Sequence, residues 1–366
     1  MSTLDVSLVG LVAGGESGVP RYAACLASAL DRAAPAFPGL AMRMLTTPRG
    51  ARRTGMRNVP IDLVGWPFAE SNAGFGRIVG EQIASRTATG GLLHFFDLSG
   101  PVLAPRRRFV TTIHDAAAGQ GFERARVAHK LALQPWAARR ATRAVAVSEF
   151  ARDEAVHHFG ADRERIAVIH SGPGLVAGPG PAAPHDVEPN GPYLLYVGNL
   201  SAHKNLALLV AAFDRADVTG TRLLLVGGRG ERFEEVEAVI DGARRGTDIE
   251  IRRDVGDGEL DALYRGARAL LLPSLYEGFG FTALEAMGRD CPVIASDIPA
   301  LREISGEGAM LMPSEDVGAW AEAIRGVVGD DSAREELQRR GRAQVERYSW
   351  DATARSVCEL FLEAGG

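Results

Sequence analysis

The sequence predicts an α/β protein built from two doubly wound, Rossmann-like domains, and three observations carry that prediction. At 366 residues the chain exceeds what one hydrophobic core usually supports. Both halves repeat one unit: an apolar run of strand length, a glycine-containing turn, and a stretch of helical spacing, the pattern of parallel strands joined by crossover helices. Between the halves lies SGPGLVAGPGPAAPHDVEPNGP, residues 171–192, mostly Gly, Pro and Ala. Such a stretch builds no regular element but can carry a hinge. The expected organisation is a first domain over residues 1–170, a hinge over 171–192, a second domain over 193–348 and a helical segment over 349–366.

Composition narrows the class. A hydrophobic content of 46% is that of a globular protein, and 43 glycines point to many strand-to-helix turns rather than disorder. The three cysteines, Cys25, Cys291 and Cys358, are odd in number and scattered, which fits a reduced, cytoplasmic protein and gives no metal-ligand spacing. The beginning, MSTLDVSLVGLVAGG, has no basic region before its apolar run, and no run reaches the length of a membrane span. The expectation is a cytoplasmic chain, soluble or peripheral at the membrane. Residues 1–170 carry 21 Lys and Arg against 14 Asp and Glu, a balance of +7, so the remainder holds −12 of the net −5. A basic half can dock on anionic lipid or on a phosphorylated acceptor, and it can equally be a solvated surface.

Taken in order, residues 5–12 are a strand-length apolar run, followed by a turn through Gly14, Gly15 and Gly18. Residues 21–30 read as a helix, since Tyr22, Leu26 and Leu30 recur at spacing four. The glycines lack the G-x-G-x-x-G spacing, and no acidic residue about twenty positions on is placed to hold a ribose, so a nicotinamide enzyme is disfavoured. Gly18 is the candidate for close backbone approach to a ligand. Strands are expected over residues 42–46 and 59–64 with the basic loop PRGARRTGMRN between them, and over 92–96. Residues 107–114 form a further strand, whose end presents His114 and Asp115 to the crevice side of a parallel sheet. A helix over 122–144 carries Arg124, Arg126, Lys130, Arg139, Arg140 and Arg143 with Leu131, Leu133 and Trp136 interspersed. It reads as a membrane-facing amphipathic helix or as an ordinary surface helix. Residues 144–148 return as a strand, Ser148 is placed to cap the helix after it, and residues 162–170 close the first half. His157 and His158 have no ligand-spaced partner, so no metal site is expected.

The second half restarts with a strand over 193–197, then Gly198, Asn199, Leu200, Ser201, Ala202, His203, Lys204 and Asn205 before a helix over 206–213. A lysine near a helix amino terminus is a point charge suited to a diphosphate. Strands over 222–226 and 249–253 and a helix over 260–267 lead to LLPSLYEGFGFTALEAM, residues 271–287. Its apolar run turns polar at Pro273-Ser274 and becomes helical from about Phe281. A strand feeding a Gly-rich turn and a helix delivers backbone N–H groups to an anion. Glu277 and Glu285 bracket the turn eight positions apart, placed to accept hydrogen bonds from hydroxyls on either side of that anion. A diphosphate flanked by two polyols is a sugar nucleotide. Residues 292–296 continue the sheet, and residues 316–328, 332–348 and 350–364 read as helices.

Glu277 and Glu285, with Gly278-Phe279-Gly280 between them, PS-x-x-EGFG, LEAM and PVIAS around them, and the G-x-L-x-x-x-K-N segment ending at Asn205, resemble the retaining glycosyltransferases of family 4 (glycosyltransferase group 1). The resemblance implies the GT-B fold, two Rossmann-like domains facing across a cleft, with the final helix crossing back to the first domain. It implies that Glu277 binds the transferred sugar, that Glu285 holds the ribose hydroxyls, and that Lys204 stabilises the departing diphosphate. The N–H groups from Gly278 to Thr282, through Phe279, Gly280 and Phe281, would complete the phosphate site. From the first domain, Gly18 would close over the phosphates and His114 would contact the sugar. Asn199 stands where many relatives have arginine, so one of the usual phosphate cations is missing; either His203 or Arg21 would substitute, or Lys204 would carry the leaving-group charge alone. Arg253 stands in the loop that contacts the nucleobase, where relatives often have glycine. Ser171-Gly172 replaces a typical asparagine-glycine.

The expected chemistry is metal-independent, cofactor-free hexosyl transfer with retention from a nucleotide sugar, GDP-mannose first, to a glycan, lipid-linked or small-molecule acceptor. Similarity to bacterial mannosyltransferases of surface polysaccharide assembly favours that donor. Nucleic acid is not an expected partner. A sugar-nucleotide epimerase or phosphorylase of the same fold, and a catalytically silent nucleotide-sugar-binding subunit, are the other readings.

Overall fold

The computed structural model describes residues 3–10, 18–63, 74–116, 128–174, 191–230 and 232–366. The chain divides into two units, Met1–Gly172 with Tyr348–Gly366, and Pro173–Arg347. The glycine turn at residues 14–17, the start of the basic helix with Arg124 and Arg126, and residues 175–190 of the linker lie outside the described residues.

The first unit is a parallel sheet of seven strands: β1 (Leu4–Val9), β2 (Leu40–Thr46), β3 (Ile61–Leu63), β4 (Leu92–Phe95), β5 (Arg108–Ile113), β6 (Arg143–Ala146) and β7 (Ile166–Val168). Their order is β3-β2-β1-β4-β5-β6-β7, every pair parallel. The order reverses between β1 and β4, which makes that gap the switch point of a doubly wound sheet. The crossover helices are α1 (Gly18–Ala33), α2 (Pro48–Thr54), α3 (Gly74–Thr87), α4 (Ala128–Arg140) and α5 (Glu149–Phe159). Helix α1 follows its apolar stripe, with Tyr22, Leu26 and Leu30 fully buried. Ser148 caps α5 as its position predicts, accepting the Ala151 N–H at 3.0 Å.

Two sequence expectations change here. The basic stretch read as a loop contains α2, started by Thr47, whose side chain accepts from the Gly50 N–H, and by Pro48 in its first turn. Its short length and three arginines hid a helix that the cap specifies. The helix expected to run to residue 144 stops at Arg140, because the chain must enter β6 at Arg143 to pair with Val110. Trp136 of that helix, half-buried, stacks on the buried Phe109 with ring centroids 5.9 Å apart, so it packs against the unit's core. Arg139 donates to the Phe159 carbonyl at 2.8 Å.

The second unit repeats the plan with six strands: β8 (Tyr193–Val197), β9 (Arg222–Val226), β10 (Ile249–Arg252), β11 (Ala269–Leu272), β12 (Val293–Ser296) and β13 (Ala309–Met312), ordered β10-β9-β8-β11-β12-β13 and all parallel. Runs such as YLLYV, RLLLV and ALLL are apolar on both faces because helices cover both sides of a parallel sheet. The helices are α6 (Leu206–Ala216), α7 (Phe233–Asp241), α8 (Asp257–Gly266), α9 (Phe281–Met287), α10 (Pro299–Ser305), α11 (Val317–Gly329) and α12 (Asp331–Val345). Leu194, Tyr196, Phe213, Leu223, Leu271 and Trp320 lie in one continuous buried cluster on one side of the sheet.

The chain then returns to the first unit as α13 (Trp350–Gly365), which packs against α1 and β1. Val357, Cys358 and Phe361 are fully buried there, Arg32 pairs with Asp351 at 2.7 Å, and Arg108 donates to the Gly365 carbonyl at 3.1 Å.

Candidate functional site

The strand order of the second unit dictates what meets at its switch point. Adjacent β8 and β11 both end on the same edge, so the loop after Val197 and the loop after Leu272 emerge side by side. One backbone bond ties them, the Leu275 N–H donating to the His203 carbonyl at 2.9 Å. The first loop makes a tight 3-10 turn over Ala202–Lys204, and Asn205 takes a left-handed conformation (φ 54°) to open α6. Its amide donates to the Ser314 carbonyl at 2.8 Å.

This places Lys204 Nζ 2.6 Å from Glu277 Oε1, and the Ser274 hydroxyl donates to the same oxygen at 2.7 Å. Both charged side chains are mostly buried, 16% and 19% exposed. Burial alone would raise the Glu277 carboxyl, but the Lys204 charge and hydrogen bond, the Ser274 hydroxyl and the charge at His203 outweigh it and hold the group below the usual carboxylate range. Glu277 is therefore an ionised acceptor, suited to hydroxyl donors. Tyr196, beneath the loop, is fully buried, and burial with the Glu277 charge holds its phenol well above the usual range. It donates to the Asn199 carbonyl at 2.9 Å, which shapes the turn in which Asn199 itself is exposed.

The second loop turns through Gly278 and Phe279 to Gly280, whose φ of 111° is a conformation that side chains rarely adopt. Helix α9 starts at Phe281 and Thr282, and the first N–H groups of a helix point out of it. The Phe279 and Phe281 rings pack 5.0 Å apart and brace the turn. Glu285 lies one turn further on, only 3% exposed. Its Oε2 accepts the Tyr264 hydroxyl at 2.8 Å, and burial together with the Glu285 charge keeps that phenol protonated. Arg289 donates to the Glu285 carbonyl at 2.9 Å and pairs with Asp261 at 2.7 Å, locking α8 to α9.

Arg253 follows β10, two strands away from this junction, with its guanidinium 4.9 Å over the Phe233 ring. Arg229 lies 4.7 Å over the same ring. In the first unit, Gly18 is the first residue of α1, and a Cβ there would meet nothing within 4 Å, so the local fold does not require glycine. His114 directly follows β5. Its Nε2 lies 2.8 Å from the Phe96 carbonyl, which can only accept, so Nε2 carries the proton. Among the described residues no three His, Cys, Asp or Glu side chains are grouped to hold a metal ion, and no helix is long and apolar enough to cross a membrane.

Lys204, Glu277, Gly278, Phe279, Gly280, Phe281, Thr282 and Glu285 thus fall in one unit, with Lys204 bonded directly to Glu277. Sequence reasoning missed Ser274 and Tyr264 as their partners. Ser274 carried a signal, three positions before the glutamate in one turn, whereas Tyr264 is an ordinary amphipathic-helix residue until the fold brings α8 beside α9.

Two doubly wound parallel units in one chain are the architecture of the GT-B glycosyltransferases. The chain belongs to the group 1 glycosyltransferases: residues 183–344 match the model of "Glycosyl transferases group 1", and residues 91–173 that of "Glycosyltransferase Family 4". It is 32% identical over 215 residues to "O-antigen chain mannosyltransferase B" of Escherichia coli, covering 56% of each chain. It is also 32% identical over 269 residues to "Glycogen synthase" of Mycobacterium tuberculosis, 70% of this chain and 63% of that one. These alignments therefore span about three fifths of the curated relatives. Among solved structures, "Sucrose-phosphate synthase" from Thermosynechococcus elongatus has the same fold, with a TM-score of 0.75 at 21% identity over 98% of both chains.

Proposed function

We propose that the protein transfers a hexosyl group from a nucleotide sugar to a glycan, lipid-linked or small-molecule acceptor, with retention at the anomeric carbon and without a metal. The observation that carries this reading is the Lys204–Glu277 pair beside the α9 amino terminus. An ammonium has three donors. Lys204 therefore holds Glu277 with one N–H and turns others toward diphosphate oxygens, joined by the backbone N–H groups from Gly280 to Thr282. Preorganised donors of this kind meet charge as it develops on the leaving group, each worth about 3–4 kcal/mol in other enzymes.

Glu277, held ionised, accepts hydroxyls of the sugar and orients the ring. Glu285 accepts the ribose hydroxyls, with Tyr264 fixing its other oxygen. His114 is assigned to the sugar and Gly18 to the phosphates, and the departing phosphate takes the acceptor proton on the same face. Asn199 and Arg253 are assigned to the donor's phosphate and base sides. GDP-mannose is the proposed donor, supported by the similarity to a mannosyltransferase. The protein works in the cytoplasm, where the excess positive charge of residues 1–170 favours contact with anionic lipid.

The test is nucleotide release from a panel of GDP-, UDP- and dTDP-sugars with and without candidate acceptors. Acceptor-dependent release is expected. Release of free sugar or consumption of phosphate without an acceptor would instead identify an epimerase or phosphorylase, and no turnover with any donor would leave a binding subunit.

A further inference from the structure

The ring of His114 is held by more than its bond to Phe96. The Tyr22 ring, fully buried on α1, meets the imidazole edge to face, with centroids 4.6 Å apart and planes at 86°. On its other side Tyr22 meets Trp350, the first residue of α13, at 5.5 Å and 62°. Trp350 is in turn wedged against the end of the first unit's main segment. A Cβ on Gly172 would fall 2.5 Å from Trp350 Cδ1 and 2.7 Å from its backbone nitrogen, so only glycine fits. One turn into α13, the Thr353 hydroxyl donates to the His170 carbonyl at 2.8 Å. The segment His170–Gly172, the start of α13, Tyr22 and the imidazole therefore form one unbroken line of contacts within the first unit.

We propose that Tyr22 and Trp350 are positioning residues for His114, setting the plane of the imidazole according to where α13 and residues 170–172 sit. This rests on the reading of His114 as a sugar-contacting residue, but the geometry makes a separate demand. The hydrogen bond to Phe96 anchors one ring nitrogen, and the Tyr22 ring packs edge to face with the imidazole, so that its placement limits how the imidazole can turn. Misplacing a catalytic group by about an ångström costs on the order of a hundredfold in rate. A purely structural role for the two aromatics would lower stability without moving the imidazole.

The experiment uses the full chain and four variants, Tyr22→Phe, Tyr22→Leu, Trp350→Phe and Gly172→Ala, with His114→Ala as reference. The readouts are kcat and KM for the active nucleotide sugar, GDP and UDP affinity, thermal midpoint, and the NMR resonances and titration of the His114 ring. Tyr22→Leu and Gly172→Ala are expected to lower kcat about 10- to 100-fold, leave nucleotide affinity within twofold, and shift the His114 resonances, while Tyr22→Phe, which keeps the ring, stays near the parent. Trp350→Phe falls between.

Folded Tyr22→Leu and Gly172→Ala proteins with parental kcat and unmoved His114 resonances would overturn the inference. So would a Tyr22→Phe variant as impaired as Tyr22→Leu, which would assign the effect to the hydroxyl. If His114→Ala keeps its activity, the functional reading of His114 fails. The NMR arm still reports whether Tyr22 sets the ring, so the two failures are distinguishable.

Discussion

Lys204 Nζ and Glu277 Oε1 lie 2.6 Å apart although 73 positions separate them in the chain. Adjacent strands β8 and β11 create the pair, and Lys204 helps to hold Glu277 ionised. Lys204→Ala is expected to lower turnover about 10²- to 10³-fold with the circular dichroism spectrum unchanged, the loss typical of removing one preorganised donor. Glu277→Ala should be at least as damaging. With the cation gone, Glu277 loses the charge and the hydrogen bond that lower it most, and its carboxyl titrates higher than in the parent. The acidic limb of the residual Lys204→Ala rate should therefore move to higher pH than in the parent, which a pH–rate profile measures.

Tyr264→Phe removes one hydroxyl and leaves the almost fully buried Glu285 carboxylate without that donor. A buried group deprived of its partner costs about 1–3 kcal/mol. The expected outcome is a lower urea midpoint together with a raised KM for donor, since Glu285 loses its orientation, and a kcat that changes less. A raised KM with unchanged stability would contradict the structural half of this statement.

Gly280→Ala adds two separable penalties. The φ of 111° strains any side chain, by about 1–3 kcal/mol, and the new Cβ would sit 2.8 Å from Leu301 Cδ2. Denaturation of the single variant and of Gly280→Ala with Leu301→Ala measures both, corrected for Leu301→Ala alone. The double variant should recover the clash and keep the strain.

His94 gives the first unit an acid sensitivity. The ring is fully buried, tilted against Phe96 and edge to face with Phe361, and burial lowers its pKa from 6.5 to about 3. Above pH 6.5 both folded and unfolded chains hold it neutral, and its contribution is complete. As pH falls from 6.5 toward 3, the unfolded chain takes up a proton that the native state refuses. Stability then declines by about 1.4 kcal/mol per pH unit from this group. Urea titrations at pH 7 and pH 5 should show a smaller acid loss in His94→Phe than in the parent, by about 2 kcal/mol.

What the sequence made legible follows from where information is local. All strands but β13 were visible because a parallel sheet buries both faces, so YLLYV and ALLL stand out without any partner known. The motif around Glu277 was legible because strand, glycine turn and helix occupy consecutive residues. Helix α2 was not, since its start depends on a Thr47 side chain closing on Gly50, a cap with no apolar stripe to announce it. The short elements α7, α10 and β13 went unread for the same reason: seven to nine residues, or four, carry too little periodicity. At the site, Ser274 could be read from its own turn. Tyr264, Tyr22 and Trp350 could not, because each reaches its partner only through packing between helices and strands far apart in sequence.

The placement of α13 has a consequence for how the molecule is made. Pro173–Arg347 is one continuous stretch and can complete its core as soon as it leaves the ribosome. The first unit has no such freedom, because the stripe of α1 that α13 covers is made early and its cover is made only after the 316 residues between Ala33 and Trp350. At 5–20 residues per second that interval lasts roughly 15–65 s. Throughout it, newly made apolar surface around Tyr22 and Leu26 stands open to chaperones and to neighbouring chains.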